Sequence, residues 1–409
     1  MLPASRFSPV PDLATSGPMA EQIQTAAAFR DPPPFAVEAV GLSLEFLPGG
    51  PDRLEHLLAM IDGARASLKM VFYIFECDAS GGRVRDALAA AAGRGVDVCV
   101  IVDGFGANAE EEWFAPLVEA GGTFLRFHPK WTRRYLIRNH QKMVIADGRL
   151  AMMGGFNVSD AYFASPEAEG WNDLAFTIEG PVVARIEEWF GQLEDWVARP
   201  RAQFLAIRRA VREWDAGTGP VRLLIGGPTR GLSTWARAVG EDLIHCRRMD
   251  MMMAYFTPPR RLRRRMRQVA SHGQTRLLMA GKSDNGATIG ASRLLYRRLL
   301  KAGAKIWEFQ PTKLHTKLIV LDDAVYLGSA NFDMRSLYLN LEIVLRIEDA
   351  GLAERMRAHI DHHIAASEAI TPQVLAAKGG GLTRLKWMAS WLLVGVIDYT
   401  VSRRLNLGL

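Results

Sequence analysis

The 409-residue chain is 49% apolar and 23% charged, which excludes a disordered or fibrous protein. At roughly one domain per 150 residues it allows two or three domains. Lysine and arginine number 50 against 44 acidic residues, a net charge of +6; this favours phosphates, nucleic acid or a lipid surface as partners without choosing among them. The three cysteines, Cys77, Cys99 and Cys246, are dispersed in or beside apolar runs, which argues against a disulfide framework or zinc ribbon and for a reducing compartment.

Residues 1–38 read as an irregular arm. They lack the apolar core of a secretory signal, and the prolines of Arg30-Asp-Pro-Pro-Pro-Phe35 cannot continue a helix. A buried strand is expected over 68–75, a helix over 82–93, a strand over 96–102, a helix over 114–120 stopped by Gly121-Gly122, and a strand over 123–127. The plan then recurs: a strand over 250–256, a helix over 260–271, a strand over 275–279, a helix over 292–302 and a strand over 304–309. Leu117-Val-Glu-Ala-Gly121 and Leu299-Leu-Lys-Ala-Gly303 are the same helix-to-strand phrase. Strands alternating with helices of this length imply an α/β fold, here built twice. The expected organisation is an arm (1–38), a first domain (39–200), a linker (201–219), a second domain (220–368) and a tail (369–409).

No stretch reaches the roughly 18–20 apolar residues that span a bilayer. In the tail, Trp387 and Trp391 lie four apart near Arg384, Lys386, Arg403 and Arg404, the pattern of a helix lying in a membrane interface, with a helix packed back on the domain as the alternative. The arginine run 260–267 suits either a solvated helix face or anionic headgroups. Lys130, Trp131, Arg133, Arg134, Tyr135 and Arg138 mix aromatics with charge before the first motif described next. His359, His362 and His363 read as a helix face rather than a metal site.

Each half closes on the same constellation. The first is His140-Gln-Lys142 with Asp147, then Gly154-Gly-Phe-Asn157; the second is His315-Thr-Lys317 with Asp322, then Gly328-Ser-Ala-Asn331. Histidine and lysine two apart on a strand leave the same face, where an imidazole and an ammonium suit a phosphoryl group. Asp147 and Asp322 fall on the opposite parity, at turns. They therefore belong to the catalytic motif as holders of turns or basic groups, not as reacting groups. Asn157 and Asn331 follow glycine-containing turns, where an amide can approach phosphate oxygens. Ser329 adds a hydroxyl that its counterpart Gly155 lacks and is, with Asn157 and Asn331, a candidate to bind the phosphate.

Paired motifs of this kind resemble the phospholipase D superfamily over residues 42–365. Asn139-His-Gln-Lys142, Trp171-Asn-Asp173, Ile178-Glu-Gly-Pro181, Asp195-Trp196, Arg335-Ser336 and Leu339-Asn-Leu-Glu342 look most like bacterial cardiolipin synthases of the short type without N-terminal membrane helices. The resemblance implies two similar domains, each a mixed sheet flanked by helices, with one active site between them. It implies attack by His140 to form a phosphohistidine, acid–base duty for His315, and Lys142, Lys317, Asn157 and Asn331 around the non-bridging oxygens, with no metal and no cofactor. A reacting histidine needs its second nitrogen held by an acceptor, for which Asp173 and Glu342, on short strands after each motif, are the candidates. The implied reaction joins two phosphatidylglycerol molecules into cardiolipin plus glycerol. The implied setting is the cytoplasmic surface of the bacterial inner membrane, held peripherally, with phospholipid and not nucleic acid as partner. Two alternatives share the chemistry: a phospholipid-hydrolysing phosphodiesterase and a metal-independent nuclease.

Overall fold

Two eight-stranded mixed sheets form the frame of the chain. A computed structural model describes residues 29–128, 137–199, 204–229, 231–283 and 286–393. The first half opens with β1 (Phe35–Ala39), β2 (Leu42–Leu47), α1 (Gly50–Gly63), β3 (Ser67–Phe72), α2 (Ala79–Gly93) and β4 (Asp97–Asp103). It continues with α3 (Ala115–Glu119), β5 (Thr123–Phe127), β6 (Met143–Ala146), β7 (Leu150–Gly154), α4 (Asp160–Phe163), β8 (Ala175–Glu179) and α5 (Val182–Ala198). After α6 (Phe204–Glu213) come β9 (Val221–Gly226), α7 (Thr234–His245), β10 (Arg248–Met253), β11 (Phe256–Thr257), α8 (Arg260–His272), β12 (Gln274–Ala280), α9 (Gly286–Lys301) and β13 (Lys305–Phe309). The second half ends with β14 (Lys317–Leu321), β15 (Ala324–Gly328), β16 (Phe332–Asp333), α10 (Met334–Tyr338), β17 (Glu342–Glu348), α11 (Ala350–Ile364), β18 (Ser367–Ala369), α12 (Pro372–Lys378) and α13 (Gly381–Leu392).

The sheets run β1-β2-β8-β7-β6-β3-β4-β5 and β18-β13-β12-β10-β14-β15-β17-β9. In each, three consecutive strands are parallel, β3-β4-β5 and β10-β12-β13, and the rest are antiparallel. Seven strands correspond one to one. Only the extra edge differs, β1 beside β2 in one sheet and β18 beside β13 in the other. The duplicated α/β plan expected from the sequence is therefore present. Two details refine it. Strand β1 begins at Phe35, inside the stretch read as an arm, and residues 204–213, read as linker, are helical.

Burial on both faces explains the near-continuous apolar runs of β4, β6 and β14. One core lies under α1, α2 and α3 and another under α7, α8 and α9. A third joins the halves: Ile145, Met153 and Phe176 meet Leu327, Ile343 and Leu345, with Trp189 of α5 and Met356 of α11 filling it. His359 and His363 are buried here, and among the described residues no group of three His, Cys, Asp or Glu could hold a metal ion.

Helix α13 lies along α9 with its tryptophans turned inward. Trp387 is buried, and a Cβ added to Gly290 of α9 would stand 3.2 Å from its ring. The sequence put both tryptophans on one helical face, either in a membrane interface or packed back on the domain. The structure packs that face on the domain, and the outward face carries Leu382, Leu385, Met388 and Leu392. The remainder of the tail, including Arg403 and Arg404, and residues 130–135 of the first basic cluster lie outside the described residues.

Asp147 and Asp322 close matching hairpins in left-handed backbone, φ 53° and 48°, a region aspartate tolerates better than most residues. The Asp147 carboxylate accepts from the N–H groups of Arg65, Ala66 and Ser67 at 2.6–3.1 Å. That of Asp322 accepts from Arg247 and Arg248 at 2.8–3.2 Å. Each thereby ties its hairpin to the start of the neighbouring parallel strand, β3 or β10. Asp147→Ala removes the acceptor of three amides that are largely open to water and is expected to destabilise the fold by about 0.5–1.5 kcal/mol. Denaturant unfolding measures this, and activity per folded molecule should be unchanged; a selective loss of activity would contradict a turn-holding role.

Candidate active site

Backbone pairing between the halves brings the two motifs together. Asn139 bridges to Leu341 and Asn172 to Leu314, both in parallel sense. The His140 N–H donates to Leu341 O at 2.9 Å, and the His315 N–H donates to Asn172 O at 2.7 Å. Each motif therefore enters its own sheet directly after a short pairing with the other half.

The same exchange governs the side chains. His140 Nδ1 lies 3.0 Å from Glu342 Oε2, and His315 Nδ1 lies 2.7 Å from Asp173 Oδ2. Each imidazole is held by a carboxylate of the opposite half. Glu342 opens β17, whereas Asp173 sits in the loop before β8 and not on a strand. Lys142 Nζ donates to His140 O at 2.6 Å, and Lys317 Nζ turns back to His315 O in the same way.

Ser329 was expected at the phosphate. In the structure its hydroxyl donates to Glu342 Oε2 at 2.5 Å and accepts from Ile343 N at 3.1 Å, so it braces the carboxylate. Its counterpart is glycine because space is lacking. A Cβ at Gly155 would stand 2.5 Å from Asp173 Oδ1 and 2.9 Å from the Lys317 chain. The asymmetry visible in the motifs is thus a difference in how each carboxylate is seated. Asn157 accepts from Ile74 N through Oδ1 at 3.1 Å, leaving its Nδ2 as a donor. Asn331 keeps a buried Oδ1 without a hydrogen-bond partner.

Several neighbours were not singled out as site residues from the sequence, although Trp171 stands in the phrase Trp171-Asn-Asp173. The Tyr73 ring lies 5.0 Å from that of His140 and is hydrogen-bonded to Arg138. Around His315 stand Tyr162, Trp171 and Tyr255 at ring distances of 5.1, 5.4 and 6.4 Å, and Tyr162 Oη is 3.5 Å from His315 Nε2. Tyr73 and Tyr255 each lie just past the first parallel strand of their half, but the strand registers match Tyr73 with Ala254 and Ile74 with Tyr255, so the repeat itself does not single them out. Arg53, fully buried on α1, donates to the carbonyls of Pro48, Tyr162, Trp171 and Asp173 and fixes the loop that carries Asp173. An arginine in an amphipathic helix gives no sequence sign of that role.

The electrostatics follow from placing cations beside neutral rings in a dry interior. Burial pushes His140 below the usual histidine value, Glu342 opposes it, and Lys142 and Lys317 add to it. Burial, then Lys317, push His315 down to about 3. Burial likewise drives Lys142 well below the ordinary lysine value, Glu342 opposing and Lys317 adding to it. Burial alone would raise Asp173, but His315 and Lys317 hold it at about 2. An ionised Asp173 claims the Nδ1 proton of His315, which leaves a lone pair at Nε2: a neutral imidazole poised as nucleophile or base.

The family model described as "Cardiolipin synthase, PLD-like domain" matches residues 57–196 and 244–364. Cardiolipin synthase 1 of Bacillus cereus is 30% identical over 73% of this chain and 62% of its own length. Cardiolipin synthase A of Pseudomonas putida is 30% identical over 81% of this chain and 70% of its own length. The chain thus spans under two thirds of the Bacillus relative. Among solved structures, phosphatidylserine synthase of Haemophilus influenzae superposes with a TM-score of 0.70 at 15% identity, covering 90% of this chain and 96% of that one. At that identity the likeness speaks to fold alone.

The low His315 value sets a pH dependence with a definite sign. The folded ring binds a proton more weakly than the unfolded one, whose pKa is about 6.5. Stability from this group is therefore full above about pH 6.5 and declines as pH falls toward 3. Asp173, held at about 2, adds a loss below its unfolded value of about 3.9. Ring nitrogen-15 spectra, assigned with His315→Gln, should show a neutral His315 from about pH 8 to pH 5. A protonation midpoint inside that range would contradict the electrostatic account.

Proposed function

The chain belongs to the phospholipase D-like cardiolipin synthase domain family, and from that membership we propose a phosphatidyltransferase that makes cardiolipin from two phosphatidylglycerol molecules. The observation that carries the reading is the pair of imidazoles, each seated on a carboxylate of the other half and each with a lysine two residues on. A single phosphodiester between them meets a nucleophile on one side and an acid–base group on the other.

In the first step His140 Nε2 attacks phosphorus, a P–N bond forms, and the P–O bond to the glycerol headgroup breaks. His315 gives the leaving alkoxide its proton. Without an anion nearby, the lysine charges suppress the imidazolium form of His315. A bound phosphodiester offsets those charges and favours the protonated ring. In the second step neutral His315 takes a proton from a glycerol hydroxyl of the second phosphatidylglycerol. That oxygen attacks phosphorus, the P–N bond breaks, and cardiolipin leaves. Lys142, Lys317, Asn157 and Asn331 hold the non-bridging oxygens as charge builds on them. Asp173 and Glu342 fix ring angle and tautomer. Tyr73, Tyr162, Trp171 and Tyr255 wall the site, which helps keep water from competing with the alcohol.

The substrates place the enzyme at a membrane surface, and we infer peripheral attachment on the cytoplasmic side of the bacterial inner membrane. Among the described residues, no helix is long and apolar enough to cross a membrane.

Purified protein with phosphatidylglycerol vesicles should yield cardiolipin and free glycerol, followed by mass spectrometry. Phosphatidic acid as the only product would make the enzyme a hydrolase. Absent lipid turnover with DNA cleavage in EDTA would make it a nuclease. His140→Ala and His315→Ala should each lower kcat by on the order of 10³-fold or more, and Glu342→Gln by roughly 10²–10⁴-fold with the fold intact.

A further inference from the structure

Away from the motifs, helices α8, α9 and α13 enclose a groove of about 1080 Å³. That exceeds the range of roughly 300–1,000 Å³ that accommodates a drug-sized ligand. Its lining is of two kinds. Arg260, Arg263, Arg267, Arg297 and Arg298 stand along α8 and α9, and Leu385, Met388 and Leu392 stand along α13. The α13 side chains are 48–60% exposed, too many large apolar groups in a row for an uncommitted surface.

The arginines press on one another. The charges acting on Arg263 are those of Arg298, Arg267 and Arg260, and together with burial they lower its proton affinity; no carboxylate is among them. Its buried Nε has no hydrogen-bond partner, and its guanidinium lies 5.9 Å over the Trp391 ring. Three cations converging on a fourth, beside an apolar wall, are complementary to an anion that carries hydrocarbon.

We propose that this groove is a docking seat for an anionic phospholipid of the membrane surface, its phosphodiester among the α8 and α9 arginines and its acyl chains along the outer face of α13. Sequence connectivity ties the seat to the catalytic end of the second sheet. Arg260 follows Tyr255 by five residues, no more than about 18 Å of chain from a ring that flanks His315. A lipid held here would present its neighbours in the same leaflet to the site. The choice of lipid over nucleic acid rests in part on the phosphatidyltransferase reading; the arginine and leucine lining does not.

The test uses the full chain carrying His140→Ala, so that lipid is bound without turnover, sedimented with vesicles of phosphatidylglycerol in phosphatidylcholine or of phosphatidylcholine alone. Only the anionic vesicles should bind, and less at high salt. Each cation near such a surface is worth roughly a five-fold change in affinity, so Arg260→Ala with Arg298→Ala, both exposed, should weaken binding on the order of 25-fold at an unchanged melting temperature. Met388→Gln, which removes apolar contact without adding charge, should weaken it independently of salt. With His140 restored, the arginine variants should turn over detergent-dispersed phosphatidylglycerol at the parent rate. Undiminished vesicle binding by the variants, equal binding to neutral vesicles, or arginine-dependent binding that prefers duplex DNA would overturn the proposal. Arginine-dependent vesicle binding with no lipid turnover would support it and overturn the catalytic reading instead.

Discussion

Two imidazole–carboxylate pairs that cross from one half of the chain to the other hold this site together. Neither half contains a seated histidine by itself. His140 takes its acceptor 202 residues downstream and His315 takes its own 142 residues upstream. The backbone bridges beside them, at Asn139–Leu341 and Asn172–Leu314, set the approach of the two sheets to within a hydrogen bond. Docking and site assembly are therefore one event. This is a physical reason for the apolar core between the halves to be as extensive as the two outer ones. That core must position four ionisable groups whose desolvation opposes docking.

The two pairs solve the same problem with different parts. Glu342 starts on a strand and reaches His140 through a longer side chain, which Ser329 steadies by a hydrogen bond. Asp173 starts in a loop, lies against the bare backbone of Gly155, and gains rigidity from Arg53, which ties the surrounding carbonyls. A buried guanidinium meeting four carbonyls is well satisfied in its hydrogen bonds, and it also places positive charge near the Asp173 carboxylate. The resulting environments differ: burial and Lys317 act most strongly on His315, whereas Glu342 is the first opposing influence on His140. Duplication thus supplies two copies of a motif, and divergence of the seating residues supplies two chemical characters.

What the sequence made legible was local. Apolar periodicity and glycine stops placed the strands and helices of both halves, with 123–127 and 260–272 within a residue of expectation. The parity of Asp147 and Asp322 told them apart from the reacting face, and their hydrogen bonds to the starts of β3 and β10 are what turn-holding residues make. What failed was non-local or two-sided. The cross-half exchange leaves no trace in spacing. Ser329 could be read only as a hydroxyl near a phosphate, because its distance to Glu342 is a tertiary fact. Trp387 and Trp391 were correctly placed on one helical face, but periodicity cannot say which face meets protein. Gly290 and Gly379, which make room for the Trp387 ring, decide it.

Strand direction explains why all the chemistry collects at one end. Strands β3 and β10 end where β6 and β14 begin, as the pairs Val71 with Met143 and Met253 with Lys317 show. The carboxyl ends of the parallel strands and the amino ends of the motif strands therefore coincide, and Tyr73 and Tyr255 emerge there beside the histidines. In open α/β sheets this is the end where helices depart and ligands bind. Helix α8 departs from it too, with Arg260 in its first position. The same connectivity that delivers His315 and Lys317 to this end thus sets the arginine face of α8 running outward from it. A mild net charge of +6 understates this arrangement, because what matters is that topology concentrates cations where one sheet presents its reactive edge.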